Sequence, residues 1–191
     1  MDRAQTVNCF VVLLRGINVG GRNRLPMADL RMALTSDGLD DVRTYIQSGN
    51  VVMKSPTRSA DVVGARVRAV IAREFGLDVP AIALERRDLE AIVDVNPFPH
   101  ETDHRRLHAI VLPHPPDTTT LVWLAERQAA ATAAGSDDLV TVIDRTAYLH
   151  TPTGFGTSKL AAALTSSRSA LADGTARNWA TMTVLSEMCA A

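Results

Sequence analysis

Cys9–Leu14 is an unbroken apolar run, Cys-Phe-Val-Val-Leu-Leu, that delivers straight into the polar, glycine-rich stretch Arg15-Gly16-Ile17-Asn18-Val19-Gly20-Gly21. The run is too short for a secretory or membrane-spanning segment. Its β-branched and aromatic content suits a strand buried on both faces of a sheet. A strand of that kind obliges the chain to supply neighbours along both of its edges and helices to cover the sheet. The next eighty residues have the pattern to do so.

Pro26 fits a first helical turn, Met27, Leu30 and Leu34 recur at helical spacing, and Gly38 supplies a stop. Val42–Ile46 and Val51–Met53 read as strands joined by Gln47-Ser48-Gly49-Asn50, where Gly49 can take the positive φ of a tight hairpin. Ser59 is placed to cap a helix that turns Val63, Val67, Val70, Ile71 and Phe75 inward and ends at Gly76, before a strand at Val79–Leu84. The order βαββαβ predicts a ferredoxin-like sandwich over residues 1–86: an antiparallel sheet of spatial order 4-1-3-2 with both helices on one face.

Residues 87–104 read as a link, with Asp88 capping a short helix and Asn96-Pro97-Phe98-Pro99 stopping it. Residues 105–191 restart the pattern. A strand at Leu107–Leu112, a helix over 118–133, and a hairpin of Leu139–Ile143 with Ala147–His150 give a second, smaller α+β subdomain of partly similar βαββ order. Two closing helices follow, one from near Ser158 and one from Thr175, where Asn178 takes the third position of a capping arrangement. The fold class is α+β throughout.

With 191 residues, 46% of them hydrophobic, the chain can bury a sizeable core. Net charge is −1, which argues against the basic footprint of a protein that neutralises many phosphates of a nucleic acid. Aromatic residues make up 4%, and Phe10 is the one ring on the two central strands, so an RNA-stacking platform is also disfavoured. Cys9 and Cys189 lie far apart with no paired spacing, which suggests neither a disulfide framework nor a zinc site and fits a reducing cytoplasm. No membrane partner is expected.

The chemistry concentrates in loops. In the sandwich, the end of strand one and the turn between strands two and three share an edge with the start of helix one, whose free N–H groups favour an anion. Gly16, Gly20 and Gly21 permit close backbone approach. Arg15 offers a fork of charged donors, and Asn18, Gln47, Ser48 and Asn50 add neutral hydrogen-bonding groups. A phosphate or carboxylate is recognised by such groups, although the same residues serve turn geometry equally well.

Thr151–Leu160 places two glycines after a strand and Lys159 in the first turn of a helix. It is not a Walker A loop, because Ser158 precedes the lysine, and Ser158 as N-cap with Lys159 solvated is the simpler reading. Lysine occurs only at Lys54 and Lys159, so arginine supplies nearly all of the 20 basic residues and no single arginine stands out by type. Ser158, Lys159, Arg177 and Asn178 are nonetheless further ligand-binding candidates from the second half, Arg177 and Asn178 as residues that could line a cleft. His100, His104 and His108 are four apart, but Pro97 and Pro99 lie just upstream and His108 falls in a strand, so surface histidines are favoured over a metal site. No cofactor motif is present.

Leu13–Gly21, Tyr45–Val52, Asn96–Pro99, Tyr148–Pro152 through Gly156–Leu160, and Thr175–Trp179 together resemble the bacterial family known as domain of unknown function 1697. The resemblance covers nearly the whole chain and implies a compact α+β protein with ferredoxin-like substructure. It implies no activity, cofactor or catalytic residue. Thr157 departs from the pattern, where a larger, often basic residue is expected, and this lowers the positive charge near Lys159. Two functions follow as expectations: binding, with or without turnover, of a small anionic ligand at the edge after strand one, or a protein-interaction or self-association module without a small-molecule site.

Overall fold

The computed structural model describes residues 7–19 and 23–191. The chain divides into two compact units, one of Met1–Ala91 with Val184–Ala191 and one of Ile92–Thr183.

In the first unit, β1 (Asn8–Leu14), α1 (Met27–Ser36), β2 (Asp40–Tyr45), β3 (Asn50–Ser55), α2 (Ala60–Phe75) and β4 (Ala81–Glu85) follow in order, and α3 (Arg86–Asp94) begins where β4 ends. The sheet runs β2-β3-β1-β4 with every pair antiparallel, the expected spatial order. Phe10, Val12 and Leu14 of β1, with Val51, Met53 and Ala83, form one face and pack with Met27, Leu30 and Leu34 of α1 and Val63, Val67, Val70 and Ile71 of α2. The alternate residues Val11, Leu13, Val52 and Leu84 are also fully buried, which is why the Phe10–Leu14 stretch of β1 carries no polar residue on either side. Ser59 caps α2 by accepting from the Val62 N–H at 3.3 Å, and Gly76 ends it in the left-handed region.

The second unit holds β5 (Leu107–Val111), α4 (Thr118–Ala133), β6 (Leu139–Ile143), β7 (Thr146–His150), a single 3-10 turn at Phe155–Thr157, α5 (Lys159–Thr165) and β8 (Thr175–Asn178), and leads into α6 (Trp179–Ala190). Its sheet is β6-β7-β5-β8, the same relative order as the first and again antiparallel. Ile110, Leu112, Ala147 and Leu149 pack with Leu124 of α4 and Leu160, Ala161 and Leu164 of α5.

Three expectations are corrected. Thr175–Asn178 is a strand and not a helix start: Thr175, Ala176, Arg177 and Asn178 pair with Val111, Ile110, Ala109 and His108 of β5 and complete a second βαββαβ set. The helix starts at Trp179, and Asn178 is its cap, accepting from the Thr181 N–H at 2.8 Å. Asp88 lies inside the first turn of α3, which begins at Arg86 in direct continuation of β4. Cys9 and Cys189 are disulfide-bonded with Cα atoms 5.7 Å apart, a link across 180 positions that no local spacing announces. With both cysteines bonded to each other, they give no indication of a reducing compartment.

Candidate functional site

The edge after β1 is built from backbone outward. The Leu14 N–H donates to the Gly49 carbonyl at 2.8 Å and the Arg15 N–H to the Pro80 carbonyl at 2.9 Å, so the end of β1 is held between the β2–β3 turn and the approach to β4. Gly49 has φ +76° and its α-carbon faces Leu14 and Ile17 so closely that an added Cβ would lie 2.7 Å from Leu14 Cβ and 2.8 Å from Ile17 Cδ1. Only glycine fits there, for conformation and for space alike. Ile46, the first residue of the turn after β2, adopts φ +48° while half exposed, an uncommon backbone state for a β-branched residue.

The amides of this edge hold the loop. Asn18, itself at φ +53°, donates from Nδ2 to the carbonyls of Leu25 at 2.9 Å and Gln47 at 2.8 Å and accepts from the Leu25 N–H at 2.9 Å. It therefore ties the lead-in to α1 to the β2–β3 turn, and the neighbourhood expected of the two polar motifs is present among the described residues. Gly20 and Gly21 lie outside the described residues. Asn50 is fully buried and donates to the Tyr45 carbonyl at 3.1 Å and Ser48 Oγ at 3.0 Å. Asn23 reaches back to the Gly16 carbonyl at 3.0 Å.

Arg15 is different. It is half-buried, and its guanidinium makes no ion pair or side-chain hydrogen bond among the described residues. The other half-buried basic side chains of the first unit are engaged: Arg31 with Thr44, Arg43 and Lys54 with Asp41, and Arg66 with Asp37. Pro26 occupies the cap position of α1 and offers no side-chain acceptor to the first-turn N–H groups, although Asp29 in that turn opposes a second negative charge.

The second-unit candidates do not gather. Ser158 is buried, accepts from the Ala161 N–H at 2.8 Å as the cap of α5, and donates to Asp138 Oδ2 at 2.7 Å. Lys159 is exposed beside it. Alternation along β8 sends Arg177 and Asn178 to opposite faces of the sheet. Arg177, 8% exposed, donates to Thr175 Oγ1 at 2.7 Å and the Ala176 carbonyl at 2.8 Å, and burial pushes its guanidinium down to about 10.

Sequence reasoning missed several side-chain clusters whose members are distant in the chain. His150 Nε2 lies 2.8 Å from Glu101 Oε2 and its ring stacks on Phe98, with the His150 hydrogen bond holding Glu101 below the usual carboxylate range. His108 stacks on Phe155 at 4.0 Å, its Nδ1 is buried without a hydrogen-bond partner among the described residues, and burial pushes the imidazole down to about 4. Tyr148 donates to the Ile92 carbonyl at 2.9 Å, and its phenol is pushed up to about 12 by burial. No group of three or more His, Cys, Asp or Glu side chains among the described residues is arranged to hold a metal. No helix among them is long and apolar enough to cross a membrane.

The solved structure of the conserved bacterial protein SP0830 from Streptococcus pneumoniae is similar over 96% of this chain and 99% of its own, with a TM-score of 0.74 at 23% sequence identity. At that identity the likeness speaks for the shared two-subdomain α+β fold. No curated protein matches the sequence. The family described as "Protein of unknown function (DUF1697)" matches residues 7–148, most of the chain, and carries the polar edge after β1 within it. The chain belongs to that family.

Proposed function

We propose that the edge after β1 binds a small anion bearing a phosphate or carboxylate group, with Arg15 as its charge partner. The observation that carries this reading is the guanidinium of Arg15, half-buried and without a partner among the described residues, beside a turn whose amides are already committed. A partly desolvated guanidinium gains most from a charged, bidentate acceptor. The Gly16 backbone, at φ +68° with nothing within 4 Å of a Cβ position, leaves room for close approach, and the exposed Gln47 side chain can orient the ligand. Asn18 and Asn50 act as struts in this scheme. Arg177, Asn178, Ser158 and Lys159 have no part in it.

The test is a thermal-shift panel of inorganic phosphate, nucleotides, phosphorylated sugars, acyl phosphates and small carboxylates. A ligand present at about 100 times its Kd stabilises by about 2.7 kcal/mol. Arg15→Ala should keep the parent's melting temperature without ligand and lose the ligand-induced shift. An equal shift in parent and variant would remove Arg15 from the site.

One observation favours a second reading, a module for protein interaction or self-association. Val19 is 67% exposed and Ile46 51% exposed, and the Asn18–Gln47 hydrogen bond places the residues just beside them next to each other. Light scattering over a concentration series decides it. A concentration-dependent oligomer reduced by Ile46→Ser would support the module, and a strict monomer would count against self-association.

A further inference from the structure

The sulfur pair that ties α6 to β1 is not sealed in a core. A cleft of about 400 Å³ in the first unit lies over it, lined by Asn8, Cys9, Lys54, Arg86, Glu90 and Cys189 among others. Cys9 is partly exposed, whereas Cys189 is 4% exposed. Cys9 and Lys54 are directly paired residues of β1 and β3, so both side chains stand on the same face of the sheet as close neighbours. A volume of this order suits a small molecule.

We propose that Cys9–Cys189 is a thiol–disulfide exchange centre whose reactant, a low-molecular-weight thiol, enters through this cleft. The thiolate of the incoming molecule attacks Cys9 Sγ, the sulfur of the more exposed cysteine. The Cys9–Cys189 bond breaks, a mixed disulfide forms on Cys9, and Cys189 leaves as thiolate. A second thiolate then attacks the incoming sulfur of the mixed disulfide and releases Cys9 as thiolate opposite the Lys54 ammonium. The protein disulfide is reduced by two electrons, two thiols are oxidised to one small-molecule disulfide, and the two protons they release are taken up through water by the cysteine thiolates.

Lys54 is the positioning residue. A nearby cation favours thiolate over thiol and makes Cys9 the better leaving group in the second step. The other charges of the cleft are paired among themselves, Arg86 with Glu90 at 2.6 Å and Arg87 with Glu85 at 3.0 Å, and Asp41 lies 3.2 Å from Lys54 and offsets part of its effect. Disulfides that are open to solvent are the ones external thiols reach and reduce most readily.

The experiment equilibrates the folded full chain with reduced and oxidised glutathione at varied ratio, quenches with a maleimide, and counts modified cysteines by mass while circular dichroism follows the fold. The expected result is a reversible passage from no modified cysteine to two, with the fold retained, and a glutathione adduct that maps to Cys9. In the Cys189→Ser background, alkylation of Cys9 should slow roughly threefold at neutral pH in Lys54→Gln, with its pH profile displaced upward. A disulfide that resists millimolar thiol until the protein unfolds, free thiols in the air-oxidised protein, or an adduct confined to Cys189 would each overturn the proposal.

Discussion

Gly49→Ala tests most directly how the candidate edge is held. The residue stands at φ +76°, and its added Cβ would meet Leu14 Cβ at 2.7 Å and Ile17 Cδ1 at 2.8 Å. Leu14 and Ile17 are 1% and 2% exposed, and Leu14 is fixed by the β1 ladder, so neither has space to withdraw. Holding an L-residue in the left-handed region costs about 1–2 kcal/mol. About 0.4–1 kcal/mol is recovered because alanine narrows the unfolded ensemble. Overpacking adds about 1–3 kcal/mol. The net loss is about 1–5 kcal/mol, centred near 3 kcal/mol.

Gly16→Ala is the built-in control, because Gly16 has φ +68° but nothing within 4 Å of its Cβ position, so the conformational cost acts alone. Its loss should be about 1 kcal/mol or less. Both tryptophans, Trp123 and Trp179, belong to the second unit, so fluorescence would follow the wrong part of the chain. Calorimetry or circular dichroism is the suitable readout. At roughly 2–4 °C per kcal/mol for a chain of this length, Gly49→Ala should melt about 5–15 °C below the parent and Gly16→Ala within about 4 °C of it. Equal losses in the two variants would refute the steric argument and leave glycine at 49 explained by backbone conformation alone.

Two further predictions concern the second unit. Ser158→Ala removes the cap of α5 and the hydroxyl donor to the buried Asp138 carboxylate, and should cost about 2–4 kcal/mol in a urea melt followed by tryptophan fluorescence; a loss under about 1 kcal/mol would mean that Asp138 is satisfied without Ser158. His108 is held down to about 4 by burial, against about 6.5 in an unfolded chain, so between those values the unfolded state binds the extra proton and stability falls as pH falls. After allowance for its partial exposure, the loss from pH 7 to pH 5 should be about 1–2 kcal/mol, and His108→Phe, which keeps a ring against Phe155, should abolish that slope. Asp37 and Glu101, drawn below the usual carboxylate range by Arg66 and by His150, contribute only at lower pH and leave this window to His108. Equal slopes in parent and variant would refute the assignment.

The elements that were legible beforehand share a physical cause. Met27, Leu30 and Leu34, the valines of α2, and the unbroken run of β1 repeat at the period of the structure they form, and Ser59, Gly76 and Ser158 mark helix ends by local chemistry. β8 carries no such signal. Thr-Ala-Arg-Asn has no alternation of its own, and becomes a strand because the free edge of β5 supplies its hydrogen bonds. The pairings Cys9–Cys189, Glu101–His150 and His108–Phe155 join positions from 47 to 180 apart and appear only with the tertiary fold. At the edge after β1 the sequence pattern displayed amides and an arginine in loops that the fold brings together. It could not display how Asn18 spends three hydrogen bonds on backbone groups of its own loop and of the β2–β3 turn, since an amide bound for a ligand and one bound for backbone have the same donors and acceptors.

That division of labour bears on affinity. Asn18, Gly49 and the buried Asn50 hold the described residues on either side of Arg15 through contacts within the chain, so an anion bound there, as proposed, would need to order one long side chain. The thiol-exchange centre stands at the other end of the same strand. Cys9 and Arg15 are separated by six residues of extended chain, about 20 Å at 3.3 Å per residue and about two and a half times the screening length of physiological salt. A change of charge at Cys9 on reduction therefore acts weakly at Arg15, and β1 is too firmly buried along its length to carry a register shift between them. Arg15→Ala should leave the glutathione equilibrium unchanged, and Lys54→Gln should leave anion-induced stabilisation unchanged. Coupling of either kind would mean that β1 moves as a unit, which its fully buried Phe10, Val11, Val12 and Leu13 oppose.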